Sequence, residues 1–353
     1  MNIIKKSIAT LAILATTLGF AQDSKTTFSG NADFYYRFDF ANAGDTGVTN
    51  NLTSFTNSQD SFELGMASIK AVHKEGKASV FADLGFGKRA YEFSGGGDDA
   101  LNQSFLIKQL NMTYEFSDKF KVTAGAFSTH LGYELVDATD NKNYSMSYAF
   151  TNGPFFNTGV KAQYTSGKIS FMAGITNPTD FKTAIKAGTN QKAIIAQLGY
   201  VGDSGSAYLN FTTESNNPAL TNKQQIDLVA SKKLNDKFSL GFNGTFATVS
   251  SDVSGINSKN WFAAILYAQY GLSKDSSLAY RLEYFNDKDG VKLPAIDCNV
   301  IANTLSFNIK EGKFTFIPEV RFDMSSQEIF TKNNDGDPSK SAASILFATT
   351  YSF

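Results

Sequence analysis

The chain ends in the stretch Ser341–Phe353, SAASILFATTYSF. Ala343, Ile345, Phe347, Thr349, Tyr351 and Phe353 share one parity, and Ser344, Leu346, Ala348, Thr350 and Ser352 share the other. Because successive side chains of a strand point to opposite faces, this alternation predicts a β-strand. One face is largely apolar and the other is mostly small and hydroxylic. A strand of a soluble sandwich shows the same alternation, but it rarely ends a chain on an exposed phenylalanine.

The segment Thr26–Phe40 predicts a matching strand at the other end of the chain. Its apolar parity holds Phe28, Ala32, Phe34, Tyr36, Phe38 and Phe40, and its polar parity holds Asn31, Asp33, Tyr35, Arg37 and Asp39. A Lys or Arg that faces the middle of a bilayer costs about 2–4 kcal/mol. If the apolar parity faces lipid, Arg37 and its acidic neighbours must therefore face an interior.

Between these two segments, short polar turns alternate with longer polar segments. The predicted turns are Lys74–Lys77, Ser117–Lys119, Ser166–Lys168, Gly202–Gly205, Asn235–Lys237, Ser273–Ser276 and Lys310–Lys313. The predicted loops are Ala41–Asp60, Phe93–Gln103, Leu131–Gly153, Asn177–Gln191, Glu214–Lys223, Ser250–Asn260, Asn286–Asp297 and Ser325–Lys340. Seven turns and eight loops predict sixteen strands, to within two. Short turns on one side and long loops on the other are typical of outer-membrane barrels.

The predicted fold class is therefore all-β: a transmembrane antiparallel β-barrel with short periplasmic turns and long extracellular loops. The chain has 32 Phe and 15 Tyr but only 6 Pro. Past the N-terminus no apolar run reaches the length of a membrane helix. A terminal aromatic strand is the feature that the barrel-insertion machinery reads, so Phe347, Tyr351 and Phe353 are the candidate closing-strand signal.

The N-terminal residues 1–21 are predicted to be a cleaved signal peptide. Lys5 and Lys6 precede a short apolar core, and Gly19 and Ala21 supply small residues at the cleavage point. Residues 22–353 then form a single outer-membrane domain. The formal net charge of −1 argues against nucleic acid as a partner. One Cys and two His leave little for a metal site, and no cofactor is predicted.

Three stretches resemble a known family: Asp83–Ala90 (DLGFGKRA), His130–Ala162 (HLGYELVDATDNKNYSMSYAFTNGPFFNTGVKA) and Gly174–Asp180 (GITNPTD). They are similar to the OmpL-like putative β-barrel porin-2 family of the Bacteroidetes. The resemblance implies an outer-membrane porin. It supplies no catalytic residues and does not settle the substrate.

In a pore, function depends on charges at a constriction. By analogy with general porins, whose third loop folds into the lumen, we expect Leu131–Gly153 to narrow the channel. Its candidate residues are Tyr133, Glu134, Asp137, Asp140 and Lys142. A second set of charges has inward parity on strands: Asp33, Arg37, Asp39, Asp83, Arg89, Lys161, Arg281, Glu283, Glu319 and Arg321. They either set a field across the lumen or pair with one another and hold the wall together; Arg281 with Glu283 and Glu319 with Arg321 are i,i+2 pairs.

Several points stay open from sequence alone. The parity of Ser61–Lys74 changes midway, which indicates a bulge or a misplaced register. Lys108 and Lys232 fall on apolar parities near strand ends, where they would snorkel to the headgroups.

The function predicted is passive diffusion of small hydrophilic solutes or ions. The candidate partners are outer-membrane lipids, the barrel-insertion machinery and further copies of the chain. The alternative is a structural or adhesive barrel that does not conduct. An enzyme is not predicted. A phospholipase would have to use His73, or His130 with Ser128.

Overall fold

The computed structural model describes residues 24–42, 49–94, 107–183, 191–216, 221–253 and 255–353. The predicted signal peptide lies outside the described residues, as do parts of five predicted loops. The strands are β1 (Ser24–Asp39), β2 (Ser61–Glu75), β3 (Ala78–Phe86), β4 (Ile107–Ser117), β5 (Phe120–Ser128), β6 (Phe156–Ser166), β7 (Ile169–Thr176), β8 (Ala193–Val201), β9 (Gly205–Asn216), β10 (Thr221–Lys233), β11 (Phe238–Ser251), β12 (Lys259–Gly271), β13 (Ser276–Asp287), β14 (Cys298–Glu311), β15 (Phe314–Ser325), β16 (Phe330–Thr331), β17 (Pro338–Ser339) and β18 (Ser341–Ser352).

Sixteen of these strands form one closed antiparallel barrel, which confirms the predicted fold class and strand number. Each strand pairs with its neighbours in the chain, and the short β16 and β17 form a separate hairpin within the last loop. Helices are few in the described ranges: α1 (Lys88–Phe93), α2 (Tyr148–Asn152) and a 3₁₀-helix at Ala138–Asp140. None of them is long and apolar enough to cross a membrane.

The barrel closes where the first strand meets the last. The register of β1 and β18 runs from Asn31 opposite Ser352 to Asp39 opposite Ser344. At its end, the Gly30 N–H donates to the Phe353 carbonyl at 3.1 Å, and the Phe353 N–H donates to the Gly30 carbonyl at 3.0 Å. The terminal residue therefore takes part in the closing ladder.

The two faces of the terminal strand separate as the alternation predicts. Leu346, Ala348 and Thr350 are buried inside the barrel, whereas Phe347 is 50% exposed and Phe353 is 55% exposed. The same division holds around the barrel, where large apolar side chains cover the outer face. This is the surface that a hydrocarbon environment requires, since lipid-facing and interior residues alternate along each strand.

All seven predicted turns connect barrel strands, and the predicted loops lie at the other strand ends. The loop predicted at Glu214–Lys223 is too long, because its first residues belong to β9 and its last residues to β10. The turns of β6–β7 and β14–β15 are tight enough to need a left-handed residue. Gly167 and Gly312 supply it, with φ of 58° and 60°. The resulting asymmetry, with short connections at one barrel end and long ones at the other, agrees with the sequence pattern.

Two bulges explain why the alternation of side chains does not give the correct face for every residue. Between β1 and β2, Ala32 lies opposite Ala67 but Phe34 lies opposite Leu64, so β2 carries one extra residue. The open question about Ser61–Lys74 is thus resolved as a bulge. A similar shift between β3 and β4 passes over Lys108. This turns Lys108 inward, where it is 1% exposed, so the prediction that it snorkels towards lipid is wrong.

The second predicted loop begins earlier than expected. Gly87, with φ of 108°, ends the strand, and Lys88–Phe93 form α1 instead of continuing β3. Arg89 was predicted on a strand with inward parity. It lies on this helix and is fully buried, so its interior position is reached by a different backbone.

Deleting Phe353 should reduce the amount of folded barrel in the outer membrane. The deletion removes both hydrogen bonds to Gly30 and the ring that packs near Tyr351 at 6.3 Å. Each backbone hydrogen bond contributes about 0.5–1.5 kcal/mol. The measurement is the fraction of outer-membrane protein with heat-modifiable gel mobility. Phe353→Tyr is the matched control, and export across the inner membrane should be unchanged. Normal assembly of the deletion would refute this role.

Candidate pore constriction

The segment Leu131–Gly153 follows β5 and makes its main polar contacts with strands on the far side of the barrel. In the ring of sixteen strands, β5 and β13 are eight places apart. The segment is nevertheless hydrogen-bonded to side chains of β1, β13, β14 and β15 that point inward. These contacts span the interior of the barrel.

A wall carboxylate on β15 accepts two backbone N–H groups of this segment. Glu319 accepts from the N–H of Tyr144 at 2.7 Å and from that of Ser145 at 3.1 Å. The Ser306 hydroxyl on β14 donates to the same carboxylate at 2.7 Å. Glu319 is 2% exposed. Hydrogen bonds to a carboxylate are stronger than those between neutral groups, so Glu319 attaches this part of the segment to the wall.

A second carboxylate holds the start of α2. Glu283 on β13 accepts from the N–H groups of Tyr148 and Ala149, both at 2.8 Å. The Ser147 hydroxyl caps the same helix by accepting from the N–H of Phe150. The first N–H groups of a helix lack partners within it, and here the barrel wall and the cap supply them.

Two arginines on the same wall bind the carbonyl groups of the segment. Arg281 donates to Glu134 at 2.5 Å and to the Ser145 carbonyl at 2.6 Å. Arg321 donates to the Met146 carbonyl at 2.8 Å. The wall thus supplies acceptors for the N–H groups of residues 144, 145, 148 and 149 and donors for the carbonyls of residues 145 and 146.

The expected i,i+2 pairs do not form ion pairs with each other. Among the ion pairs of the described residues, none joins Arg281 to Glu283 or Glu319 to Arg321; Arg321 pairs instead with Asp323 at 2.9 Å. The side chains do share a face, but the backbone of the segment lies between them and takes their hydrogen bonds. Other members of the inward set do pair with one another, since Arg37 lies 3.7 Å from Asp39 and Arg89 lies 3.8 Å from Asp33.

A second attachment lies on the side of β2 and β4. Asp137 forms an ion pair with Lys70 at 2.5 Å and another with Lys108, and Lys108 also lies 3.1 Å from Asp83. Burial raises the pKa of Asp137, but Lys108 and Lys70 outweigh this effect and hold the pKa below its usual value. Sequence reasoning missed both lysines because the two bulges shift the parity beside them.

Arg89 on α1 is buried against residues on either side of the 3₁₀-helix, Val136 and Tyr144. The Tyr144 hydroxyl donates to Asp33 on β1 at 2.5 Å, and Arg89 approaches the same carboxylate oxygen at 3.8 Å. The Arg89 guanidinium lies 4.9 Å from the ring centroids of both Tyr144 and Phe55, and it donates to the Val136 carbonyl. Asp33 and Arg89, both predicted candidates, are thus brought together here.

Other candidates from the strands lie apart from this cluster. Arg37 donates to carbonyls of the first loop, at Thr49 and Ser58, and lies 3.7 Å from Asp39. The Lys161 ammonium lies 4.1 Å from the centroid of the Phe127 ring. These residues face the interior but do not contact the attachment points of Leu131–Gly153.

Asp140 and Lys142 are the solvent-facing charges of the segment. Both are exposed, and both line a cavity of ≈ 250 Å³ bordered by Tyr133 and Tyr267. The Tyr133 ring stacks on that of Tyr267, with centroids 4.2 Å apart. Of the predicted loop residues, Glu134 and Asp137 therefore anchor the segment, whereas Asp140 and Lys142 contact the solvent space beside it.

An apolar cluster inside the barrel supports α2. Tyr148 packs on Phe285, and Phe285 stacks on Trp261, with ring centroids 5.6 and 5.5 Å apart. Val300 and Ala302 of β14 complete this inward apolar face. The sequence pattern of β12 did not predict this cluster, because both faces of β12 are hydrophobic.

The two histidines lie in different surroundings. His73 is hydrogen-bonded to Thr26 at 2.8 Å, and the His130 ring contacts the Phe211 carbonyl at 3.0 Å. Burial lowers the pKa of His130 to about 4. Neither ring is hydrogen-bonded to a serine or a carboxylate in the described part of the chain, and those residues contain no group of three or more metal-ligating side chains.

Comparison with solved structures shows the porin fold. The trimer form of OmpT from Vibrio cholerae is 12% identical over 94% of this chain and 100% of its own, with a TM-score of 0.61. An anion-selective porin from Comamonas acidovorans is 12% identical over 94% and 100%, with a TM-score of 0.62. The outer-membrane channel DcaP of Acinetobacter baumannii is 13% identical over 95% and 99%, with a TM-score of 0.59.

At the level of sequence, no match to a curated protein was found. The profile of one family, described as "Putative beta-barrel porin-2, OmpL-like", matches residues 25–353. That match covers the barrel from its first strand to its terminal residue and confirms the resemblance carried by the three quoted stretches. The chain belongs to the OmpL-like putative β-barrel porin-2 family.

Proposed function

We propose that this outer-membrane barrel is a passive channel for small hydrophilic solutes and ions, and that Leu131–Gly153 narrows its lumen. The observation that carries the proposal is the attachment of this segment to Glu283 and Glu319, on the wall opposite its own strand. A sixteen-stranded barrel is wide enough for an aqueous channel. A segment attached across the barrel narrows the path for solutes, and the polar cavities lie beside that path.

The route has a mixed lining with few free charges. The segment carries three acidic residues and one basic residue. Glu134 and Asp137 are neutralised by Arg281, Lys70 and Lys108, so only Asp140 and Lys142 face solvent. The excess of acidic residues in the segment is largely compensated by cations of the wall, so the preference for cations is weak.

Partners follow from the membrane setting. The apolar outer face fits outer-membrane lipids, and the aromatic C-terminus fits the barrel-insertion machinery. One of the similar structures is a trimer, which supports a homo-oligomer here as well. No step of the proposal needs a cofactor or covalent chemistry, and the family and fold are those of channels.

A second candidate function is a structural or adhesive barrel without conductance. It is favoured by the apolar packing of α2 against Trp261 and Phe285, which fills part of the interior. The two functions differ in one measurable property: only a channel carries a steady current across a bilayer.

Refolded protein in a planar bilayer should give stable, ohmic single-channel steps. Neutral sugars of increasing size should lower the conductance only up to a small cut-off, because the attached segment restricts the path. Absence of current from protein with correct heat-modifiable mobility would favour the structural barrel over the channel.

Neutralising Glu134 and Asp137 together (E134Q with D137N) should lower the cation preference. Arg281 and Lys70 would then add uncompensated positive charge at the constriction, whereas Lys108 would keep Asp83 as its partner. The reversal potential in a salt gradient measures the change. Asp118→Asn with Asp236→Asn, two exposed turn carboxylates, is the matched control. Unchanged reversal potentials in the first variant would overturn the constriction assignment.

Glu319→Ala should loosen the segment and raise the single-channel conductance. The change leaves two backbone N–H groups without their carboxylate, and an interaction with a charged acceptor contributes about 1.5–3 kcal/mol. Limited proteolysis between residues 131 and 153 should become faster in the same variant. Glu311→Ala, at an exposed turn, is the control. A variant whose proteolysis accelerates while its conductance stays constant would place the segment off the conducting path.

A further inference from the structure

A cavity of ≈ 290 Å³ lies among β9–β12 at the barrel end that carries the long loops. Its lining combines both signs of charge with amides, hydroxyls and one indole. The lining residues used in the argument are Asp180, Glu214, Lys223, Trp261 and Lys292. Asn152 and Gly153, at the end of Leu131–Gly153, also line the cavity, whereas the residues that attach this segment to the wall do not.

One ion pair in this lining is complete within the protein. Glu214 accepts from the Thr179 N–H at 2.6 Å and from its hydroxyl at 2.9 Å, and its other oxygen lies 3.0 Å from the Lys223 ammonium. Glu214 is buried, so these three contacts compensate its charge. Glu214 and Lys223 therefore form a fixed polar wall.

Two further charges in the lining, Asp180 and Lys292, form no ion pair within 4 Å among the described residues. The Lys292 side chain is exposed, and no carboxylate lies within 4 Å of its ammonium in the described part of the chain. Asp180 uses only one carboxylate oxygen, which accepts from the N–H groups of Phe155 and Phe156 at 2.8 and 3.1 Å. Among the described residues, no hydrogen bond reaches its second oxygen.

The backbone holds Asp180 in place. Its φ of 68° is unusual for a residue other than glycine, and its N–H donates to the Phe156 carbonyl at 3.0 Å. These bonds fix one face of the carboxylate and leave the other towards the cavity. Strain of this kind persists only where the surroundings determine it, and it is common at binding sites.

We propose that this cavity binds a zwitterion with a primary ammonium and a carboxylate, namely an amino acid or a short peptide, before it passes through the channel. The carboxylate of the solute meets Lys292, and its ammonium meets Asp180. The inference rests on the proposed channel function and gives it a substrate class. A cavity at the lower end of the usual range for ligand sites holds one such molecule rather than a longer chain.

The lining favours this class over a sugar. Sugars are usually held by an open aromatic face, but one face of Trp261 stacks on Phe285, and the Lys292 ammonium lies over the ring at 5.9 Å. It also favours a zwitterion over a simple ion, because one free charge of each sign lies in the same cavity. A simple anion or cation would leave one of them unpaired.

Trp261 is the only tryptophan of the chain and lines this cavity, so its fluorescence can be excited selectively to follow binding there. Refolded protein in detergent is titrated with glycylglycine and with glycine, and the arms distinguish a peptide from an amino acid. Glycinamide, N-acetylglycine and glucose are the controls; the first lacks the carboxylate and the second lacks the ammonium. We expect a saturable change with at least one zwitterion and at least tenfold weaker responses with all three controls.

Lys292→Gln should weaken the response about tenfold or more, and Asp180→Asn should do the same while keeping its bonds from Phe155 and Phe156. Lys288→Gln, an exposed lysine of the same loop outside the cavity, is the matched control. An equal response to glucose, a response that survives both cavity variants, or no response to either zwitterion overturns the proposal. Binding is measured without any current, so its failure is distinct from a failure to conduct.

The response should also weaken as the pH falls through about 6. Desolvation by the surrounding protein is the largest influence and raises the pKa of Asp180. The N–H groups of Phe155 and Phe156 and the Lys223 ammonium lower it and Glu214 raises it, which leaves the pKa at about 6. Lys182 and Lys292 also face this carboxylate. Below this pH Asp180 becomes neutral and loses its attraction for the ammonium, whereas an α-carboxyl of pKa about 3.3–3.7 stays ionised. The apparent affinity for glycylglycine at pH 5 and 7 measures the effect. Equal affinities at both pH values in the unaltered protein would exclude Asp180 as the partner.

Discussion

Every backbone N–H and C=O in the hydrocarbon layer needs a partner within the protein, and this constraint organises the whole chain. An open sheet would leave two edges without partners. Here β18 returns to β1, and the last bonds of that ladder are made by Gly30 and Phe353. Chain direction, strand number and the aromatic terminus all follow from closure, because the outer edge of each strand must be matched by the next.

Backbone groups inside the barrel also need hydrogen-bond partners, but there side chains supply them instead of a neighbouring strand. The backbone of residues 144–149 lies away from any sheet, so its N–H groups bind Glu283 and Glu319 and its carbonyls bind Arg281 and Arg321. Buried ions are costly unless they are paired and hydrogen-bonded. The segment and the wall therefore compensate each other: the loop needs the charges, and the charges need the loop.

This mutual compensation also separates anchoring charges from charges that act on solutes. Glu134 and Asp137 lie within the first group, since each contacts a cation of the wall. The proposed selectivity then depends on the few groups left facing water, Asp140 and Lys142 in the lumen and Asp180 and Lys292 near the loops. A channel built in this way gains a stable constriction while keeping its free charges at places that a solute meets in turn.

The barrel, its strand number to within two, its closing seam and the direction in which most side chains face were all predictable from the sequence. Period-two alternation and polar turns are local properties, so they can be read along Ser341–Phe353 or Thr26–Phe40 without any structure. The candidate site was only partly predictable. Charges such as Asp33, Arg281 and Glu319 were placed on the inner face, but their partners were not, since those partners lie on strands and loops distant in sequence. Lys108 and Arg89 were misplaced because a bulge and a glycine-terminated strand each break the alternation. Which charges contact each other could be learned only from the three-dimensional structure, because it depends on how the segment after β5 lies inside a closed barrel.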